Sequence, residues 1–201
     1  MSIDIAEKIV KVFLNGIETE ISYDYLINTM PFNVFAKLAN IETSGQGISY
    51  NQVLVFNIGF DNSLEDVSSH WIYFPEKKYC FYRVGFYNNI LSQKNGSLYV
   101  ELGFDENHIF SETEIKGYFE KTIEDLKVCG ILKNQEVIAY ESLVINPGYV
   151  HITEVGKRFV KDTMDYLAKS NVYSIGRYGA WTYCSMEDSM IQANKLADLV
   201  K

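Results

Sequence analysis

Apolar and polar residues alternate from Lys8 to Leu14 and again from Ile17 to Ile21, the period-two spacing of a half-buried strand. Asn15-Gly16 lies between the two runs. This dipeptide is the strongest short hairpin signal, because both turn positions need a positive φ. A short apolar run, Tyr25 to Asn28, follows. Pro31 sits where a first helical turn tolerates a missing N–H, and Phe32, Phe35, Ala36 and Ala39 then recur at helical spacing. The middle of the chain is strand-rich. Gln52 to Phe60, His70 to Phe74, Tyr79 to Phe86 and Ser97 to Phe104 are dense in Val, Ile, Phe and Tyr. Turn residues such as Asp61-Asn62, Pro75 and Asn95-Gly96 separate them. Their alternation predicts an antiparallel sheet with one covered face.

The pattern then turns helical. Ser111 and Glu114 have the spacing of a capping box. Ile115, Phe119, Ile123 and Leu126 mark a buried stripe, and Gly130 is placed to stop the helix. Gln135 to Ile145 and Tyr149 to Ile152 read as two extended stretches. A second helix is predicted from Val155, Phe159, Val160, Met164 and Leu167. A final strand covers Asn171 to Ile175, and a last helix runs from about Met186 to Val200 with apolar residues at Met186, Met190, Ala193, Ala197 and Val200. The class this implies is α+β: an antiparallel or mixed β-sheet with interspersed helices, ending in a strand–loop–helix.

Composition narrows the functions. The chain has 201 residues, 47% hydrophobic and 22% charged, enough to bury one sizeable core. Its net charge of -8 would repel a phosphate backbone, so nucleic acid is excluded as a partner. One or two arginines still suffice to hold a single anion. Cys80, Cys129 and Cys184 are too scattered for a metal knuckle or a disulfide framework and read as reduced thiols of a cytoplasmic protein. His70, His108 and His151 share no ligand spacing, so no metal site is expected. No apolar run is long enough to span a bilayer, and the N-terminus lacks the features of a signal peptide. Gly45-Gln46-Gly47 lies in a loop but has neither the third glycine nor the βαβ surroundings of a phosphate loop.

The richest segment is the last one. An apolar strand runs into Gly176, and Arg177 and Gly179 follow at once. An aromatic loop through Trp181 and Tyr183 then leads to Ser185 and Asp188, which cap a helix. Glycines admit a close backbone approach to a flat ligand. A helix start offers free amides and a positive dipole end, and an arginine beside it can grip a phosphate or carboxylate through two bonds.

This stretch, GRYGAWTYCSMEDSMIQA, resembles the C-terminal flavin-contacting motif of the amine oxidase, protoporphyrinogen oxidase and UDP-galactopyranose mutase superfamily. It is nearest the mutase-like branch found in bacterial polysaccharide (LPS) biosynthesis. ISYDYLINTMPFNVFAKL is similar to the return strand of that superfamily, and HWIYFPEKKYCFYRVGFYNN to its substrate-domain strands. The resemblance runs from about Lys8 to the end and implies a bound FAD. The flavin ring would pack against Gly176, Arg177 and Gly179 and the backbone amides of Met186 and Glu187. Arg177 and Tyr183, with Arg83 as a looser candidate, would bind a substrate diphosphate. No residue stands out as catalytic. The Gly-rich dinucleotide fingerprint that opens such proteins is absent, so the resemblance implies a substrate-binding fragment whose FAD-binding domain is missing, and whose bared face favours homodimerisation.

On this reading residues 1–48 join the FAD domain, 49–170 bind substrate and 171–201 contact the flavin. The implied function is the substrate half of an FAD-dependent oxidoreductase or mutase-like enzyme. It would act on a nucleotide sugar or a related anionic substrate in surface-polysaccharide biosynthesis. The alternatives are a non-catalytic sugar or nucleotide-sugar binding module without flavin, and a plain interaction domain. Read apart from the resemblance, Arg177 is a surface arginine at a strand end and Arg83 a surface strand residue. Glu101 is either a buried partner for an arginine or part of a solvated strand face.

Overall fold

The structure, a computed structural model, describes residues 1–65, 68–92 and 94–200. The chain divides into two units, Met1–Ser49 with Tyr149–Lys201, and Tyr50–Gly148.

The first unit opens with strands β1 (Ser2–Asp4), β2 (Ile9–Leu14) and β3 (Ile17–Ser22), an antiparallel sheet in that order. Asn15 and Gly16 take φ of 52° and 81°, so the predicted turn forms and pairs Leu14 with Ile17. Alternation did not reveal β1, because three residues are too few to show a period. Next come β4 (Leu26–Asn28) and helix α1 (Phe32–Leu38). Pro31 stands just ahead of α1, where its missing N–H costs nothing. Phe32, Phe35 and Ala36 are buried, as their spacing predicts.

The second unit holds β5 (Tyr50–Phe60), β6 (Trp71–Tyr73), β7 (Arg83–Phe86), the one-turn helix α2 (Tyr87–Ile90), β8 (Ser97–Asp105), helix α3 (Glu112–Val128) and β9 (Val137–Val150). They build one five-stranded sheet in the order β6-β7-β8-β5-β9, and the β6–β7, β7–β8 and β5–β8 pairs are antiparallel. Leu54, Phe56, Ile58 and Phe60 of β5 share a face with Leu98, Val100 and Leu102 of β8. Onto that face α3 lays Ile115, Phe119, Ile123 and Leu126. Phe119 meets Phe56 edge-on at 5.5 Å. Each fully buried side chain of this kind contributes about 1.5–3 kcal/mol.

Three local expectations change here. The stretch from Tyr79 is not strand until Arg83. The Asp125 carboxylate accepts the Cys80 N–H at 2.8 Å and holds this segment in a turn, with Phe81 and Tyr79 stacked 5.7 Å apart. The capping box of α3 is half made. Ser111 Oγ accepts the Glu114 N–H at 3.2 Å, while the Glu114 carboxylate lies 3.0 Å from His108 Nε2. The two stretches on either side of Pro147 form the single strand β9, the sheet's edge, where a residue without an N–H is tolerated. The stop at Gly130 holds. Its N–H donates to Lys127 O and the Ile131 N–H to Leu126 O, the paired bonds of a Schellman ending.

The chain then returns to the first unit with α4 (Glu154–Ala168), β10 (Val172–Ser174), the single turn α5 (Gly176–Gly179) and α6 (Met186–Leu199). β10 pairs in parallel with β4 in a two-stranded sheet. Val172 and Leu167 join Ile3 and Phe35 in this unit's core. The apolar stripe predicted for α6 does not face that core. Met186 is 86% exposed and Met190 62%, and Leu196 is the residue buried. Polar anchors fix the rotation of the helix. Gln192 Oε1 accepts the Gly176 N–H at 2.8 Å, and Ser189 Oγ lies 3.5 Å from Cys184 Sγ. The fold class is thus α+β with an antiparallel main sheet and interspersed helices, closed by a strand–loop–helix. Among the described residues no helix is long and apolar enough to cross a membrane.

Candidate functional site

The C-terminal segment is held from both sides. The Ile175 N–H donates to Asn28 O at 3.0 Å and ties the end of β10 to β4. Buried Asn28 also donates from Nδ2 to Ser174 Oγ at 3.0 Å and accepts the Met30 N–H at 3.1 Å. Gly176 takes a φ of +79°, and nothing would meet a Cβ there. A Cβ on Gly179 would lie 2.7 Å from Asn28 O, so the close approach at that glycine is made by the protein's own backbone. Trp181 has a φ of +48° yet is only 5% exposed. A bulky residue tolerates that conformation only when its surroundings impose it. With Ile152, Val160 and Met164 it lines a cavity of about 270 Å³.

This frame aims Arg177. Its Nε and Nη2 both donate to Cys184 O, at 3.0 and 2.7 Å. The guanidinium lies over the Tyr183 ring, 4.6 Å from its centre. Among the described residues no carboxylate pairs with Arg177, so its charge is oriented but not neutralised. Tyr183 itself is 69% exposed. One turn further on, Ser185 and Asp188 complete a capping box: Asp188 Oδ2 accepts the Ser185 N–H at 2.8 Å, and Ser185 Oγ accepts the Asp188 N–H at 3.0 Å. These bonds hold the Asp188 carboxyl below the usual carboxylate range, the Ser185 N–H foremost. The box leaves the Met186 and Glu187 amides as unsatisfied first-turn donors at the positive end of α6. First-turn N–H groups at a helix start can receive an electron-rich acceptor.

Arg83 lies in the other unit and heads a cluster on the sheet face opposite α3. It pairs across the ladder with Glu101, which is buried, and Glu101 also accepts the Tyr82 hydroxyl at 2.6 Å. Of the two readings of Glu101, the buried arginine partner is the one observed. The Arg83 guanidinium also lies 5.8 Å from the Tyr73 ring and 5.6 Å from the Tyr99 ring. Tyr99 packs against Tyr87 at 5.1 Å, and the Tyr87 hydroxyl donates to Asn57 Oδ1 at 3.1 Å. A Cβ on Gly85 would come within 1.9 Å of the Tyr99 ring, so the glycine lets that ring lie flat across β7. Burial first, and the nearby Glu101 charge after it, push the Tyr87 hydroxyl above its ordinary value. Burial does the same for Tyr99 against the opposing pull of Arg83. Both phenols stay protonated and able to donate.

Of the expected site residues, Gly176, Arg177, Gly179, Tyr183, Met186 and Glu187 thus share one segment of the first unit, and Arg83 belongs to the second. The sequence reading missed Tyr73, Tyr99, Tyr87 and Asn57. The signal was available for the strand members, because Trp71, Tyr73, Arg83, Gly85, Tyr99 and Glu101 occupy alternate positions out of phase with core residues such as Val84, Leu98 and Val100. His108 packs between Phe104 and Phe110, and His151 Nδ1 lies 3.0 Å from Ser49 Oγ, which are structural roles.

No protein-family model and no curated protein matches the chain. Solved structures do match. The fold is one shared with proteins described as a mutase, an oxidase and an isomerase. A reduced UDP-galactopyranose mutase superposes with a TM-score of 0.85 at 22% identity, over 99% of this chain and 45% of that one. A protein assigned as a protoporphyrinogen oxidase from Exiguobacterium sp. 255-15 gives 0.68 at 12% identity, over 96% and 44%. A fatty acid isomerase from P. acnes that produces CLA gives 0.61 at 11%, over 98% and 46%. The chain therefore spans less than half the length of each structure it matches.

Proposed function

We propose that this chain is the substrate-binding portion of an FAD-dependent, mutase-like enzyme. Its substrate would be a nucleotide sugar or a related anionic molecule in surface-polysaccharide (LPS) biosynthesis, handled in the cytoplasm. The observation that carries the reading is the Arg177 guanidinium: clamped to Cys184 O, stacked on exposed Tyr183 and, among the described residues, given no carboxylate partner. Such a group recognises an anion in a fixed orientation. FAD, when bound, supplies the electron chemistry. The Met186 and Glu187 amides would receive an acceptor edge of its ring, with Gly176 keeping the approach open. The tyrosine face around Arg83 and Glu101 is the second recognition surface. There Arg83 is already charge-paired, so this surface, taken by itself, suits stacking and hydrogen bonding to a hydroxyl-rich ring.

The test begins with the flavin content of the purified chain and of the product of any longer reading frame that contains it. Flavin in the longer protein supports the reading, and two colourless preparations overturn the flavin assignment. Calorimetric titration of the flavin-bearing form with UDP-galactose then tests the anchor. Arg177→Ala should weaken binding by about 1.5–3 kcal/mol, the worth of a hydrogen bond to a charged group at a half-buried arginine. Unchanged affinity removes Arg177 from the site.

A further inference from the structure

Within the first unit, α4 and the loop after α5 border the cavity of about 270 Å³. Ile152, Val160, Met164 and Trp181 line it, and Arg177 and Tyr183 do not. Trp181 is the unusual member, a buried bulky residue at positive φ. Such backbone strain persists only where the surroundings impose it, and it gathers at ligand clamps. Lys157 and Lys161 stand one turn apart on α4 and both border the same cavity. Their ion-pair partners are Glu154 and Asp165 of the same helix, at 2.9 and 2.6 Å, and all four side chains are more than half exposed. Exposed pairs of this kind contribute little, so an incoming anion competes for the two ammonium groups at small cost. Ligand sites run from about 300 Å³ upward. At the small end of that range the cavity admits one ring or two fused rings and is too small for a nucleotide sugar.

We infer that this cavity is a second ligand site, for a small aromatic carboxylate. The ring beds among Val160, Met164 and Trp181, and the carboxylate takes Lys157 and Lys161 at the rim in exchange for Glu154 and Asp165. Walls and charge select the class together. An aliphatic acid forgoes the ring–ring contact with Trp181. A neutral ring leaves the lysines in their intrahelical pairs and gains nothing from them. Asp165 also lines the cavity, so against two lysines the rim carries one net positive charge, which suits a monoanion rather than a diphosphate. The inference does not depend on the flavin or nucleotide-sugar reading, because the Arg177 guanidinium has no part in it.

The test is a proton–nitrogen correlation spectrum of the full chain, labelled with nitrogen-15 and titrated with 2-naphthoate. The two tryptophans give two indole signals, told apart by Trp71→Phe. The expected result is a saturable shift of the Trp181 signal with a Kd of about 0.1–1 mM, while Trp71 stays still. No shift up to about 5 mM, or a shift confined to Trp71, overturns the site. Lys157→Glu should weaken 2-naphthoate about fivefold and leave the neutral 2-naphthalenemethanol within about twofold. A Trp181 shift that Lys157→Glu leaves intact places the anion at Arg177 instead, and an equal loss for both ligands removes the carboxylate; either overturns the inference. Ala180→Leu extends a lining residue into the space and should abolish the Trp181 shift. Retained binding by that variant, when folded, also overturns the cavity as the site. Where it does not fold, Lys157→Glu decides alone, because that side chain is exposed.

Discussion

Glu101 is the most exposed weakness of the second unit's polar face. Its carboxylate is buried beneath that face, with Arg83 as its counter-charge and the Tyr82 hydroxyl as a second donor. Glu101→Gln keeps the shape and one acceptor but leaves the Arg83 charge, whose side chain is only 21% exposed, without its partner. Breaking a fully buried pair from one side costs about 3–5 kcal/mol. Residual solvent access to Arg83 lowers this to about 2–3 kcal/mol. Arg83→Met should cost a similar amount by stranding Glu101. The double variant should cost less than the sum, with a coupling of about 1.5–3 kcal/mol. With a urea dependence of about 2 kcal/mol per molar, each single variant should lower the unfolding midpoint by about 1–1.5 M. Tryptophan fluorescence locates the loss, because Trp71 lies in the second unit and Trp181 in the first. A coupling below about 0.5 kcal/mol, or a loss seen only by Trp181, would refute the argument that this pair holds the face together.

Gly85→Ala places a methyl group where the Tyr99 ring lies, so it should dislodge that ring and, on the proposed function, reduce affinity for UDP-galactose several-fold with a smaller loss of stability; equal affinity with Tyr99 displaced would remove the ring from the proposed recognition surface. Asp125 is held below the usual carboxylate range. Burial pushes its carboxyl upward, but the Cys80 N–H and Lys121 outweigh it. A group depressed on folding stabilises above its unfolded pKa and ceases to as pH falls through the folded value. Unfolding scans should therefore lose stability below about pH 4, and Asp125→Asn should flatten that acid limb. Burial raises the Cys80 thiol to about 11, so iodoacetamide at pH 8 should label it slowly in the native chain and quickly in urea. Ser185→Ala removes the cap of α6 and should cost about 1 kcal/mol in thermal unfolding.

Local patterns were legible where a residue's immediate neighbours decide the structure. Asn15-Gly16 made its hairpin turn, Phe32, Phe35 and Ala36 faced the core, and Gly130 ended α3 as its sequence context implied. The C-terminal strand–glycine–arginine–helix order was legible too, because its caps and glycines act within a few residues of one another. The tyrosine cluster was not. Tyr73, Arg83, Tyr99 and Glu101 come from three strands, and only the register Arg83↔Glu101 and Gly85↔Tyr99 makes them neighbours. The Asp125 bond to Cys80, which unmakes the first half of an expected strand, joins residues 45 apart.

The sequence by itself determined the α+β class, most element positions and the cap of α6, all through spacing, turn chemistry and short-range hydrogen bonds. Tertiary structure alone decided that β10 returns to pair in parallel with β4, that α6 turns Met186 and Met190 outward, and that Glu101 goes to Arg83. Those outcomes depend on which distant groups can satisfy a buried amide, carboxylate or guanidinium, and that choice exists only once the chain has closed on itself.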